Sequence, residues 1–382
     1  MIEIQDRQQC CGCQACVNIC PRKCISMEFD EEGFSYPKVN IDECIKCNAC
    51  DNVCPMLNSV KICEREQRIY VAVNKDFSMR NSSSSGGVFG LLAKNVLDKE
   101  GIVFGAALDD QHRVCHKYIS SMSEIRALQG AKYAQSDVRS TYKKAKDFLD
   151  EDKWVLFAGT PCQIEGLLNY LHKEYAKLLT VDVICHGVPS PILWEKHLSE
   201  ISSDHDSPRD INFRDKTYGW KTSSLKVKFA NGDTYLKTHR EDPYFRLYHS
   251  DLCLRRSCYN CNFRNIYRRS DITLGDCWGI DNITPRLNDN RGASVIIVHS
   301  QNGEDYINAI KGQLDTEHTT IDNVIKYNPS VAKNVPSNEK RDEFMRMSKT
   351  HSVKELNDYF CKMTPKEKVK NTILKVMGRL KH

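Results

Sequence analysis

Residues Cys10–Pro21 read CCGCQACVNICP, and residues Cys44–Pro55 read CIKCNACDNVCP. Both follow one pattern, C-x2-C-x2-C-x3-C-P. The first set is Cys10, Cys13, Cys16 and Cys20 before Pro21; the second is Cys44, Cys47, Cys50 and Cys54 before Pro55. Three closely spaced cysteines on a tight loop can turn their sulfurs to one centre. A fourth, at the start of a short helix, points to another.

This is the bacterial run for a 4Fe–4S cluster, in which the fourth cysteine serves the neighbouring cube, and its doubling predicts two clusters. One is assigned to Cys10, Cys13, Cys16 and Cys54, the other to Cys44, Cys47, Cys50 and Cys20. Gly12, Ala15, Asn48 and Ala49 keep the loops small, so that backbone amides can approach the sulfides. Structural zinc also uses paired C-x2-C, but has no use for the trailing C-P. Cys11 and Cys24 are left over and read as small packing residues.

The rest of the composition fits a metal-rich intracellular chain. There are 382 residues, enough for two or three domains, with 40% apolar and 27% charged residues. No run approaches eighteen consecutive apolar residues, so no membrane helix is expected. MIEIQDRQQ at the start lacks the pattern of a secretory signal. The expected location is the cytoplasm, where the 19 cysteines stay reduced and ask for metal.

Beyond Pro55, residues Asn58–Arg68 are polar and read as a linker. An α/β rhythm follows. Strand-like runs are Ile69–Val73, Gly101–Leu108, Trp154–Gly159, Leu178–Cys185 and Ser294–Ser300. Helical patterns lie between them in GVFGLLAKNVLDKE, VRSTYKKAKDFLD, CQIEGLLNYLHKEY and PILWEKHLSEIS. Ser121 and Glu124 form a capping-box pattern. Lys226–Phe229 and Thr234–Lys237, split by Asn231-Gly232, read as a hairpin inserted in the core. The expected fold is α+β / α/β: a dicluster ferredoxin-type domain over 1–60, a linker over 61–68, a mixed-sheet α/β core over 69–335 and a helical extension over 336–382.

Four stretches carry chemistry. NSSSSGGVFG (Asn81–Gly90) is a serine–glycine turn opening a helix, suited to phosphate. GTPCQIEGL (Gly159–Leu167) places Cys162 at a helix N-terminus after a strand, with Pro161 in the first turn. DVICHGVPS (Asp182–Ser190) places Cys185 and His186 at a strand end. SCYNCNFRNIYRRSDITLGDCWGI (Ser257–Ile280) holds Cys258-x2-Cys261, with Cys253 and Cys277 nearby.

With QGAKYAQS (Gln129–Ser136), ICHGVPSP and SDITLGDCWG added, the chain over roughly residues 1–300 resembles the coenzyme F-420 hydrogenase/dehydrogenase beta-subunit family. The resemblance implies FAD, one 4Fe–4S cluster in the core domain and electron transfer between iron–sulfur centres and flavin. It implies that the third cluster uses Cys162, Cys185, Cys258 and Cys261. A local set of Cys253, Cys258, Cys261 and Cys277 is the competing reading. It places flavin and pyrophosphate near Ser84, Ser85, Gly86 and Gly87, and near Lys132, Tyr133, Gln135 and Ser136. Arg214, Lys216 and Trp220 are read as a substrate or flavin wall, or else as an ordinary basic loop. His186 is a candidate proton relay whose alternative is a structural histidine.

Residues Thr364–His382 hold six Lys or Arg and one Glu, a balance of +5 that equals the whole chain's. The body is therefore near neutral, which argues against nucleic acid as a ligand. Ile373, Leu374, Val376, Met377 and Leu380 form a helical stripe in this tail. Such a helix can lie on an anionic membrane or a partner, or dock its stripe on its own domain. The expected function is an iron–sulfur flavin-dependent oxidoreductase, exchanging electrons with ferredoxin or another low-potential carrier and acting on a small molecule. The alternative is a non-catalytic electron-transfer beta subunit of a larger complex, using coenzyme F-420 in some relatives. No G-x-G-x-x-G follows a strand, which lowers the expectation of direct NADH use.

Overall fold

The computed structural model describes residues 1–382 other than 61, 63, 65, 204, 363–364 and 380–382. Thirteen strands among the described residues form three sheets. β1 (Ile25–Phe29) and β2 (Ser35–Val39) pair antiparallel, with Ile25 opposite Val39, and carry the two cysteine loops beside them. Each cysteine loop runs into a short helix, Ala15–Ile19 and Ala49–Asn52.

The core is an eight-stranded mixed sheet. Its strands are β3 (Arg68–Asn74), β4 (Ile102–Leu108), β5 (Val114–Ile119), β6 (Val155–Gly159), β7 (Leu178–Val183), β11 (Ile272–Asp276), β12 (Ser294–Val298) and β13 (Leu314–His318), in the order β13-β3-β12-β11-β7-β6-β4-β5. The central four, β11-β7-β6-β4, are parallel; β5 is antiparallel to β4, β12 to β11, β3 to β12 and β13 to β3. Neighbouring residues on β4 and β6 alternate between two faces. Val103 and Leu156 meet the helix Val88–Leu97, whereas Phe104, Val155 and Phe157 meet the helix Pro161–Leu171. Leu91, Leu92 and Val96 of the first helix are buried, each stabilising by about 1.5–3 kcal/mol. This is the expected fold class.

The hairpin differs from expectation. β9 (Ser224–Phe229) and β10 (Thr234–Thr238) do pair, with Gly232 at φ +93° in the turn. They join β8 (Pro208–Asp215) in a separate sheet, order β10-β9-β8, and do not enter the core sheet. The cause is the apolar face Leu225, Val227 and Phe229, which packs on Trp194, Phe213 and Tyr244 of a second core. Ser121 also differs: it accepts from Ser123 N while Glu124 accepts from Ser120 N, opening a 3-10 helix over Met122–Ala127.

The small cysteine-rich unit is keyed into the core and does not hang from a linker. Gln14 Nε2 donates to Asp137 Oδ1 at 2.8 Å, and Arg139 N donates to Gln14 Oε1 at 2.9 Å. Arg341 grips the buried Glu32 carboxylate with two hydrogen bonds, 3.0 and 2.6 Å. Two arginine bonds to one buried carboxylate offset its desolvation and fix the docking angle.

Candidate functional site

The two cysteine loops share one backbone. Gly12 and Lys46 occupy equal places in their repeats, as do Gln14 and Asn48, and all four have positive φ. Each loop thereby turns its three thiols inward. The closing proline has a role too. It locks φ and lacks an N–H, and the chain beyond it curls back on the fourth sulfur. Leu57 N and Asn58 N donate to Cys54 O, and Lys23 N donates to Cys20 O, which brings the amides after each proline close to the fourth sulfur.

Each loop encloses a cavity. One is lined by Cys10, Cys13, Cys16 and Cys54, with Cys11 as a fifth sulfur. The other is lined by Cys20, Cys44, Cys47 and Cys50, with Cys24 as a fifth. The fourth cysteine of each repeat thus lies in the other repeat's cavity. Among the described residues no three His, Cys, Asp or Glu converge on a single-ion point. Four thiols directed at four corners of a cube stand wider apart than zinc ligands. The extra residues are not mere packing: Cys24 Sγ lies 3.4 Å from Cys20 Sγ, and the Cys11 thiol is adjacent to those of Cys13 and Cys162.

Parallel pairing sets Gly159 opposite Asp182 at the ends of β6 and β7. Cys162 and Cys185 each follow three residues later. Thr160 caps the helix Pro161–Leu171, its amide donating to Gln163 Oε1 at 3.0 Å, which fixes Cys162 in the first turn. Burial pushes the Cys185 thiol up to about 12, with further contributions from Cys162 and Cys261. Cys258 is raised by burial first and then by Cys185, Cys261 and Cys162. These four sulfurs are mutual neighbours. Left as thiols they would stay protonated; iron must displace those protons. Cys253 packs among Tyr244 and Phe245, and Cys277 lies in a different apolar cluster with Trp220 and Ile280.

The expected flavin residues fall in several places. Ser84 Oγ accepts from Ala131 N at 3.1 Å, which brings the two stretches together. Ser85 Oγ donates to Ala293 O, and Gly86 N donates to Ser294 Oγ. A Cβ on Gly86 would lie 2.4 Å from Ala72 O, so this glycine is required by packing. The helix Val88–Leu97 starts at Gly87, φ +85°, without a side-chain cap. Lys132 donates to Ala127 O and Gln129 O, and desolvation lowers its ammonium to about 7. Tyr133 packs edge-on against Phe245 and Tyr248. Gln135 instead binds Cys11 O at 3.2 Å, and buried Ser136 binds His116 Nδ1 at 2.7 Å. Lys216 Nζ donates to Arg80, Ser85 and Arg291 carbonyls, knitting the serine loop to the core. Arg214 pairs with Asp276, and Trp220 stacks on Trp278 at 5.0 Å.

His186 is fully engaged. Its Nε2 lies 2.6 Å from Asp251 Oδ1, its Nδ1 3.3 Å from Ser330 Oγ, and its ring is edge-on to Tyr248. The residues that sequence reading missed are Tyr248, lying between His186 and Tyr133, and Arg255, fully buried against Cys10. Arg255 carries no local signal, because its partners lie 120 to 245 positions away.

The basic helix Pro365–Arg379 docks through Asn371, which is buried, and Lys375, 2.7 Å from Glu241. Val369, Ile373, Val376 and Met377 are exposed. At about 3.6 residues per turn they share the face opposite Asn371. Leu380, expected in the stripe, lies outside the described residues. No helix among the described residues is long and apolar enough to cross a membrane.

Residues 152–323 match the family model for the C terminus of the coenzyme F420 hydrogenase/dehydrogenase beta subunit, and residues 9–58 match the 4Fe-4S dicluster domain. The chain is an electron-transfer iron–sulfur protein. Its residues 152–323 are related to the C terminus of the coenzyme F420 hydrogenase/dehydrogenase beta subunit, behind an N-terminal ferredoxin domain. A chain of the F420-reducing NiFe hydrogenase complex from Methanosarcina barkeri is similar at 13% identity, over 76% of this chain and 90% of that one, with a TM-score of 0.43. No curated relative matches.

Proposed function

We propose that this chain is an iron–sulfur flavoprotein oxidoreductase that relays electrons between a low-potential carrier, such as ferredoxin, and FAD, and so reduces or oxidises a small molecule. The observation that carries the reading is continuity of sulfur. Two cavities with exchanged fourth cysteines lie beside a third quartet, reached from the first through Cys11 and Cys162. Four-iron clusters supply one-electron chemistry when bound, and FAD couples it to two-electron chemistry.

Cys10, Cys13, Cys16 and Cys54 would hold the first cube, and Cys20, Cys44, Cys47 and Cys50 the second. Cys162, Cys185, Cys258 and Cys261 would hold the third. Cys47 is exposed, so the second cube faces a docking carrier, while the cysteines of the core quartet are all half-buried. The uncapped start of the helix Val88–Leu97 offers amides to the FAD pyrophosphate. Gly130, with open space where a Cβ would stand, leaves room beside Ser84 and Ala131. Lys132 supplies positive charge there, and Tyr133 an aromatic wall. His186, hydrogen-bonded to Asp251, acts by fixing the Cys185 loop. The outward stripe of the helix Pro365–Arg379, rimmed by the tail's excess of positive charge, rests on an anionic membrane surface.

Iron and flavin counts on protein purified without oxygen test the reading. The expected result is about twelve irons and one FAD per chain, falling to about eight irons in Cys162→Ser and staying at about twelve in Cys253→Ser and Cys277→Ser. About eight irons and no flavin in the wild type overturns it. Full iron in Cys162→Ser overturns the core quartet alone.

A further inference from the structure

Arg255 is fully buried and makes no ion pair with any carboxylate among the described residues. Its Nε donates to Cys10 O at 2.8 Å, its Nη1 to Gln135 Oε1 at 3.1 Å, and its Nη2 to Ser35 O at 3.0 Å. Nη2 also reaches Cys10 Sγ at 3.5 Å. The guanidinium carbon lies 4.3 Å from the centre of the Tyr36 ring and 5.5 Å from that of Phe34. All of these oxygens and rings are neutral. An arginine keeps its charge at any working pH, and a buried charge without a counter-charge is costly. Among the described residues no carboxylate meets it. Of the groups its guanidinium hydrogen-bonds, the Cys10 sulfur is the one that can carry negative charge, and it is the largest electrostatic partner of Arg255.

We propose that Arg255 is the built-in counter-ion of the cluster held by Cys10, Cys13, Cys16 and Cys54, and that it sets this cluster's reduction potential above that of the cluster held by Cys20, Cys44, Cys47 and Cys50. The inference rests on the cluster assignment made above. A four-iron cube bound by four thiolates is an anion, and one-electron reduction adds a further negative charge. A fixed cation stabilises the reduced form more than the oxidised form, and N–H donation to a ligand sulfur acts in the same direction. Among the described residues the second cavity has no equivalent. Arg22 and Lys46 are exposed, where water and salt screen them, and the N-terminal ammonium beside Cys44 and Cys50 is already paired with the Asp51 carboxylate. The asymmetry drives an electron from the outer cube toward the inner one.

The placement of Arg255 on the core gives this asymmetry its use. Arg255 N donates to Val188 O, and Cys258 N donates to Arg255 O. The residue that tunes the ferredoxin domain's inner cluster is therefore fixed in the segments that carry Cys185 and Cys258. An electron drawn to the inner cluster is held where the core quartet begins. Arg255 is a positioning and tuning residue, and touches no substrate.

The test is a potentiometric titration of the full chain, followed by electron paramagnetic resonance, with Cys10→Ser identifying the inner cluster's signal. In Arg255→Gln the iron content is expected to stay at the wild-type value, and the inner cluster to move furthest to lower potential, the outer cluster staying in place. At the wild-type midpoint its reduced-to-oxidised ratio should fall at least tenfold, about 59 mV for one electron. Gln135→Glu gives a second route: it sets a carboxylate against Nη1 and neutralises the cation without removing it. It should shift the same signal in the same direction, and it decides the matter if Arg255→Gln loses iron. Unchanged midpoints at full iron content overturn the proposal. A wild-type iron content well short of three clusters would instead remove the cluster assignment, independently of either variant.

Discussion

Gly12 and Lys46 sit at the same position of the two cysteine loops, both in the left-handed region, at φ +72° and +54°. The same turn is made by a glycine in one loop and a lysine in the other because their surroundings differ. A Cβ on Gly12 would lie 2.4 Å from Gln135 Nε2 and 3.0 Å from Arg255 Nη1. Lys46 is exposed, and its side chain runs freely into solvent. Gly12→Ala therefore adds a left-handed penalty of about 1–2 kcal/mol to a clash with the groups that hold Cys10 and Cys11. It is expected to lose iron from the inner cluster and to lower the thermal midpoint. Lys46→Gly relieves the same penalty and loosens the unfolded chain, so stability should stay within about 1 kcal/mol with iron complete. Equal iron loss in both variants would mean that the core does not shape the inner loop.

Two buried histidines make stability depend on pH. Burial lowers His116 to about 4 and His239 to about 3, from an ordinary value of 6.5. His116 lies between Ser136 Oγ and Ala158 O, and His239 between Ser223 Oγ and Phe213 O, partners that suit a neutral ring with one donor and one acceptor. Below about 6.5 the unfolded chain binds protons that the folded chain refuses. The stability of the neutral rings is thus complete above that value and is lost as pH falls, by up to about 1.36 kcal/mol per pH unit for each histidine. Thermal midpoints measured anaerobically between about pH 7.5 and 5.5 should fall with acidity, and His116→Gln should flatten the slope even as it lowers the midpoint. A slope the variant leaves unchanged would assign the acid sensitivity to other groups.

Chemistry made the cysteine repeats legible. A cube needs its ligands at set intervals, and that spacing survives in the sequence as C-x2-C-x2-C-x3-C-P. Of the central strands, β4, β6 and β7 were legible because both faces are buried and their residues are largely apolar, as in VLFAG of β6, whereas β11, ITLGD, is too short and polar to read as a strand. β8 and β13 escaped because PRDINFRD and LDTEH are edge strands with half-exposed, charged residues. Arg255 and Arg256 are adjacent and alike in sequence, yet one is buried on Cys10 while the other, half-exposed, bridges the buried Glu32 to the exposed Asp342. Only contacts made across the fold separate them. The same holds for Gln135 and Ser136, placed near flavin by resemblance but committed here to Cys11 and His116.

The helix Pro365–Arg379 yields the last prediction. Lys375 pairs with Glu241 and lies over the Tyr218 ring, Asn371 is buried, and the apolar residues Val369, Ile373, Val376 and Met377 are exposed. A helix with most of its apolar side in water lacks the burial that normally fixes a terminal helix. The tail's net charge of +5 over residues 364–382 selects an anionic surface to cover that side. The full chain should co-sediment with vesicles of phosphatidylcholine containing phosphatidylserine and leave pure phosphatidylcholine vesicles alone. Binding should weaken as salt rises from about 0.1 M to 1 M, where the screening length shrinks from about 10 Å to 3 Å. Ile373→Glu combined with Val376→Glu should abolish sedimentation while iron and flavin contents stay unchanged, since neither residue lies near a cysteine quartet. A double variant that still binds, or a wild type that ignores the anionic vesicles, would assign the stripe to a protein partner and remove the membrane from this protein's function.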